Sequence, residues 1–250
     1  MPDTTSLLQF RTAYLRAIAR AWNDEAFLKE LLESPNVFTI LAQDFQFPYH
    51  WPYLELRLSI DAAFPSQWCP VQAGGWIGPD DTFVVYIPAA PPDQKQWTAA
   101  LAAYYQLFPT LFGPTGHPAT SQPQAEAASG GDDILGGGGT VDDFVTFGAV
   151  MLRALALAWN NADFRHALTT NGLEALSAWL GYNSPWNFIV DIHMDPSATW
   201  SPQAGQWSQF SKNRIALNFP NAPTDFATSE WPIALTAYNS TGPQYPFTCE

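Results

Sequence analysis

The side chains in this 250-residue chain that could do chemistry are few. Asp191, His193 and Asp195 stand at alternate positions, so on a strand they project to one side. Oxygen and imidazole groups gathered that way could hold a divalent ion or pass a proton. The same alternation is also the ordinary polar face of a half-solvated strand. Two cysteines, Cys69 and Cys249, are too few for a disulfide framework. With histidines scattered at 50, 117, 166 and 193, they also offer no close ligand pairs for structural zinc. Cys69 lies between Trp68 and Pro70 with no His or Lys nearby in sequence to lower its pKa, and reads as a small buried residue in a turn. Cys249, the penultimate residue, lies in a tail whose prolines, Pro243 and Pro246, oppose regular structure, so its thiol is expected to be reachable. Gly136 to Gly139 is followed by no Lys-Ser or Lys-Thr, which argues against a phosphate loop. No cofactor is expected.

The elements that must position these groups come in two copies. Residues 7 to 22 place Leu7, Phe10, Tyr14, Ala17, Ile18, Ala21 and Trp22 at helical spacing. Asn23 is placed to cap a second helix, with Asp24 and Glu25 in its first turn, Phe27, Leu31 and Leu32 on its inner side, and Ser34-Pro35 as its stop. Tyr53 to Asp61 alternates apolar and polar residues as a half-buried strand, and Thr82 to Ile87 does the same, so that a hairpin-like pair is expected. Trp97 through Leu107 is a closing helix.

The order then restarts. Phe147, Arg153, Trp159 and Phe164 lie 137 positions beyond Phe10, Arg16, Trp22 and Phe27. Trp186 to Asp195 repeats the first strand at an offset of 134, and Arg214 to Phe219 the second at 132. Trp200-Ser201-Pro202 follows Trp68-Cys69-Pro70 at 132, which sets Ser201 opposite Cys69. So many coincidences in order mean a duplication. The expected fold is α+β: two tandem repeats of helix-helix-strand-strand-helix, packed with pseudo-twofold symmetry because self-complementary surfaces favour a twofold. The units are residues 1–112 and 141–250, joined by a Gly, Pro and Ser linker at 113–140. The duplication weakens the ion reading of the strand, since Asp191, His193 and Asp195 correspond to Arg57, Ser59 and Asp61.

Composition bounds the partners. At 47% hydrophobic the chain can bury a substantial core, and its net charge of −13 opposes binding to nucleic acid or anionic lipid. No run of about 18 apolar residues offers a membrane span, and residues 1 to 20 do not read as a secretory signal. The chain is expected to begin in the cytoplasm, with any export by a route lacking a Sec signal. The sequence leaves its oligomeric state open.

Ala21-Trp22, Asp24, Phe27, Leu31-Leu32 and Pro35 match the helical region of nitrile hydratase alpha subunits and of the leader peptides derived from them. Two such units with a tail bearing a cysteine make the whole chain resemble precursors of the thiazole/oxazole-modified microcin (TOMM) bacteriocin family. Hydratase activity is not implied, because its metal claw needs three clustered cysteines. The resemblance implies a non-enzymatic precursor recognised by maturation enzymes. Its recognition motif would be Trp22, Asp24, Phe27, Leu31, Leu32, Trp159 and Phe164. Cys249 would be the modification candidate, ahead of Cys69 and Thr248. The alternatives are a binding or scaffold module derived from a nitrile-hydratase-like fold, and an enzyme using Asp191, His193 and Asp195.

Overall fold

Phe10, Ala13, Tyr14, Ala17, Ile18 and Ala21 recur at steps of three and four and are all buried, which makes one inward stripe of the first helix, α1 (Thr4–Ala21). The same six positions, 137 residues later, form the buried stripe of α5 (Val141–Asn160): Phe147, Val150, Met151, Ala154, Leu155 and Ala158. This computed structural model describes residues 4–49, 53–71, 75–107, 141–184 and 188–241. The first repeat continues with α2 (Glu25–Glu33), α3 (Val37–Phe45), β1 (Leu54–Ser59), β2 (Gln67–Trp68), β3 (Trp76–Ile77), β4 (Asp81–Pro88) and α4 (Trp97–Leu107). The second follows the same order with α6 (Ala162–Thr170), α7 (Gly172–Leu180), β5 (Phe188–Asp195), β6 (Thr199–Ser201), β7 (Gln206–Ser208), β8 (Asn213–Asn218) and α8 (Trp231–Thr241).

Local signals start the helices. Asp24 caps α2 by accepting from the Phe27 N–H at 3.0 Å, and Asn161 caps α6 by accepting from Phe164 at 2.9 Å. The cap of α2 is thus Asp24 rather than Asn23, whose amide turns back to the Ala19 carbonyl. Each repeat also holds a third helix absent from the sequence reading. In α3, Val37, Phe38, Ile40 and Leu41 make one buried face while Thr39, Gln43 and Asp44 are exposed, but nine residues are too short a run for the helical period to stand out. The segment between the long strands is likewise not bare loop, since β2–β3 and β6–β7 are short antiparallel hairpins.

The four long strands form one sheet in the order β1-β8-β4-β5. The expected hairpin of β1 with β4 does not form: β8 of the other repeat lies between them. Alternating hydrophobicity says that a strand has one buried face but not which strand it will pair with, and here every pairing crosses between repeats. β1 runs parallel to β8 with Leu54 opposite Asn213, and β5 runs parallel to β4 with Phe188 opposite Asp81, which are equivalent pairs. The central strands β4 and β8 are antiparallel, with Phe83 opposite its own counterpart Ile215. The pseudo-twofold axis therefore passes between these two residues. The fold is α+β, built as a duplication.

Helices cover one face of the sheet. Leu54, Leu56, Leu58, Phe83, Val85, Ile87, Val190, Ile192, Ile215 and Leu217 are buried there, while Arg57, Thr82, Val84, Tyr86, Asp191, His193, Arg214 and Ala216 on the other face are half-exposed. The outer edge of β1 is closed by two side chains: the Tyr49 hydroxyl donates to the Leu54 carbonyl at 2.9 Å, and Asn36 accepts from the Leu56 N–H at 3.1 Å. At the β5 edge the start of α7 presses in so closely that a Cβ on Gly172 would lie 2.8 Å from the Val190 carbonyl oxygen.

Four tryptophans lock the repeats together. Trp22 donates to the Pro220 carbonyl at 2.8 Å and its counterpart Trp159 to that of Pro88 at 2.9 Å. Trp76 donates to Ala234 at 2.8 Å and its counterpart Trp207 to Ala100 at 2.7 Å. Every one of these bonds joins one repeat to the other, and the indoles lie in contact: Trp22 with Trp76 and Trp231 at 6.1 and 5.9 Å, Trp159 with Trp207 and Trp97 at 6.3 and 5.8 Å.

Candidate functional site

The helix motif that stood out in the sequence lies where α1 meets α2. Its large side chains point inward. Phe27, Leu31 and Phe164 are buried, Trp22 and Trp159 are 9% and 7% exposed, and Leu32 packs against the core from its margin. What the surface presents at this corner is Asn23, Asp24, Glu25 and part of Leu28, around a groove of about 290 Å³. Phe219, just past the end of β8, forms part of the groove wall, so both repeats build it. Arg20 flanks the corner with its guanidinium 3.8 Å over the Phe27 ring, its Nη1 2.6 Å from Asp44 and its Nε 3.6 Å from Asp24.

The acidic strand divides into two parts. On the open face of the sheet Nε2 of His193 is 2.9 Å from Asp191, and the Tyr86 ring lies 5.6 Å from the imidazole. Both side chains are nearly half exposed, at 43% and 47%, so water screens the pair. Asp195 does not join them. It is buried at the end of β5, where it accepts from N–H and Oγ of Ser197 and from N–H and Oγ of Ser211. Burial raises its pKa, and the hydrogen bonds from Ser197 and Ser211 outweigh that and hold it below the usual carboxylate range. Its counterpart Asp61 caps the matching turn through the N–H groups of Ala63 and Phe64. Among the described residues no group of three or more His, Cys, Asp or Glu side chains is placed to hold a metal ion.

Cys69 is a half-buried free thiol in the turn between β2 and β3, and its N–H donates to the Gly75 carbonyl at 2.7 Å. Gly75 has φ 74°, and a Cβ there would fall 2.1 Å from the Trp68 ring, so only glycine closes this turn. Cys249 and Thr248 lie outside the described residues.

Two charged features escaped the sequence reading because they form only across repeats. Glu55, 7% exposed, accepts from Nε of Arg214 at 2.9 Å, with Arg57 at 3.5 Å. Asp81, 1% exposed, accepts from the N–H of Asn218 at 2.7 Å, and its other oxygen is buried without a hydrogen bond among the described residues. Burial pushes this carboxyl well above the usual range against the pull of Asn218. The counterpart of Asp81 is Asn213, which accepts from the Tyr86 N–H. No described helix is long and apolar enough to cross a membrane.

The comparisons with known proteins are narrow. No curated protein and no solved structure matches the chain. A family model does, twice: residues 5–111 and residues 142–246 each match the family described as ribosomal natural product, two-chain TOMM family. These two regions are the two structural repeats and together span most of the sequence, so the chain belongs to the two-chain TOMM family of ribosomal natural products and carries its unit in tandem.

Proposed function

We propose that this chain is a non-enzymatic precursor that maturation enzymes engage as a folded protein, and that Cys249 is the residue they modify. The observation that carries the reading is the family match of both repeats. The use of the chemistry-bearing side chains supports it: Asp195 closes a turn, and Asp191 and His193 face open solvent. In azoline formation the thiol Sγ attacks the preceding carbonyl carbon, the Cys nitrogen loses its hydrogen as the ring's C=N bond forms, and the carbonyl oxygen leaves as water. At Cys69 that would remove the N–H bonded to Gly75, breaking the hairpin turn.

Intact-mass and fragment analysis of the chain, expressed with the genes adjacent to its own, tests the proposal. The expected result is loss of one water, or another tailoring change, localised to Cys249. An unchanged mass in the presence of active maturation enzymes, or modification confined to Cys69, would overturn it.

A further inference from the structure

Because the two repeats are copies, a place that is filled in one and open in the other indicates what belongs in the opening. Leu28 and Arg165 occupy equivalent positions, each four residues after a helix cap. In the second repeat the Arg165 guanidinium folds back and donates to the Ala158 carbonyl at 3.0 Å, at the corner between α5 and α6. In the first repeat Leu28 cannot donate, and the groove of about 290 Å³ opens beside Ala21, the counterpart of Ala158.

The charges have changed places as well. Asp24 and Glu25 line the open groove, and their counterparts beside Arg165 are the neutral Asn161 and Ala162. At these two positions Arg165 therefore stands beside neutral residues, with Asp163 the acid left in the first turn of α6, while the acidic pair stands beside Leu28. Arg20, the cation near the open corner, is taken up by Asp44, Asp24 and the Phe27 ring.

We infer that the groove at the α1–α2 corner takes an arginine side chain from a protein partner, seated as Arg165 is seated in the other repeat. The incoming guanidinium donates to the Ala21 carbonyl and pairs with Asp24 and Glu25 while its methylenes lie on Leu28. Arginine fits better than lysine because its planar fork can reach a carbonyl and a carboxylate together. This site does not depend on whether the partner is a maturation enzyme.

N-acetyl-arginine amide is the probe, titrated into the full chain while the indole N–H resonance of Trp22 is followed by NMR. A saturable shift at Trp22 is expected, with N-acetyl-leucine amide producing none. Leu28→Arg, which fills the groove in cis, should abolish the response, and Arg165→Leu should add a second one at Trp159. Glu25→Gln changes an exposed side chain and leaves the fold alone, and should weaken the probe severalfold. No saturable shift at Trp22 in the wild type, or a shift that persists unchanged in both Leu28→Arg and Glu25→Gln, would overturn the inference.

Discussion

Replacing Asp81 by asparagine should make this protein more stable at neutral pH, although it removes a carboxylate that accepts hydrogen bonds. Asp81 opens β4 on the central pair of strands and is 1% exposed. One oxygen accepts from the N–H and side-chain amide of Asn218 at 2.7 and 3.3 Å, and the other is buried without a hydrogen bond among the described residues. An ionised carboxylate held that way carries a desolvation cost of about 1–3 kcal/mol or more. The amide keeps the accepting oxygen and removes the charge, and Asn213 shows that the equivalent position accommodates it. Asp81→Asn should therefore raise the unfolding free energy at pH 7.5 by about 1–3 kcal/mol. With a urea m-value of about 2–3 kcal/mol/M, the midpoint moves up by roughly 0.3 to 1.5 M.

The pH dependence gives the sharper test. Burial raises the folded-state pKa of Asp81 well above its unfolded value of about 3.9. Over that interval the folded state holds the proton more tightly than the unfolded state does. The contribution of the group to stability is thus fully present below the unfolded pKa and is lost as pH rises through the folded one. The wild type should lose stability relative to Asp81→Asn as pH rises, and the two should converge near pH 4. Urea unfolding followed by circular dichroism at a series of pH values measures the difference and cancels the many carboxylates common to both proteins. A variant less stable at pH 7.5, or a difference that does not change with pH, would refute the reasoning.

Other consequences of the interlaced sheet can be checked with the same assay. Trp22→Phe and Trp159→Phe each delete one buried indole–carbonyl bond and should each cost about 1–3 kcal/mol, and a gap wider than that between them would contradict their equivalence. A double-mutant cycle with Glu55→Gln and Arg214→Met should give a coupling of about 0.5–1 kcal/mol, kept modest by the 41% exposure of the arginine side chain. Zero coupling would remove the pair from the contacts between repeats. Cleavage at a protease site introduced at Glu126, between the two repeats in sequence, should leave both fragments in one native complex that separates only in denaturant. Separation of the fragments under native conditions would show that the cross-repeat strand pairing does not hold the fold.

What could be read from the sequence was what each residue's own neighbours determine. The helix Trp97–Leu107 has the bounds its spacing predicts, and Leu58 and Ile192, taken as equivalents, are both buried. The cap of α2 slipped by one residue because Asn23 and Asp24 are both good caps and only geometry selects between them. The first residue of β4 was missed because Asp80-Asp81 resembles the end of a loop, and it is the pairing with Phe188, supplied by the other repeat, that makes a strand position of Asp81. The same distance hid the tryptophan locks. Trp22 and Pro220 are 198 residues apart, and no local pattern links them. Of the site, the motif was visible as a repeated apolar pattern, but the groove at its corner was not, since one wall comes from Phe219.

The duplication also acts as a control on which contacts serve the fold and which distinguish its halves. The tryptophan locks, the helix caps and the strand register are the same on both sides of the axis, and a pairing of either repeat with itself would keep them all. The charged contacts would not survive such a pairing. Two first repeats would set Glu55 against Thr82 and bury two copies of Asp81, while two second repeats would set Arg214 against Ile189. Only the mixed pairing gives the arginine its carboxylate, and it buries one copy of Asp81 where two first repeats would bury two. Buried or half-buried charges that find partners in one arrangement and lose them in the others discriminate against the wrong pairing. Joining the repeats in one polypeptide then adds effective concentration to a preference that the side chains already set. The Leu28 groove belongs to the same class of asymmetry, and it is the one that faces outward.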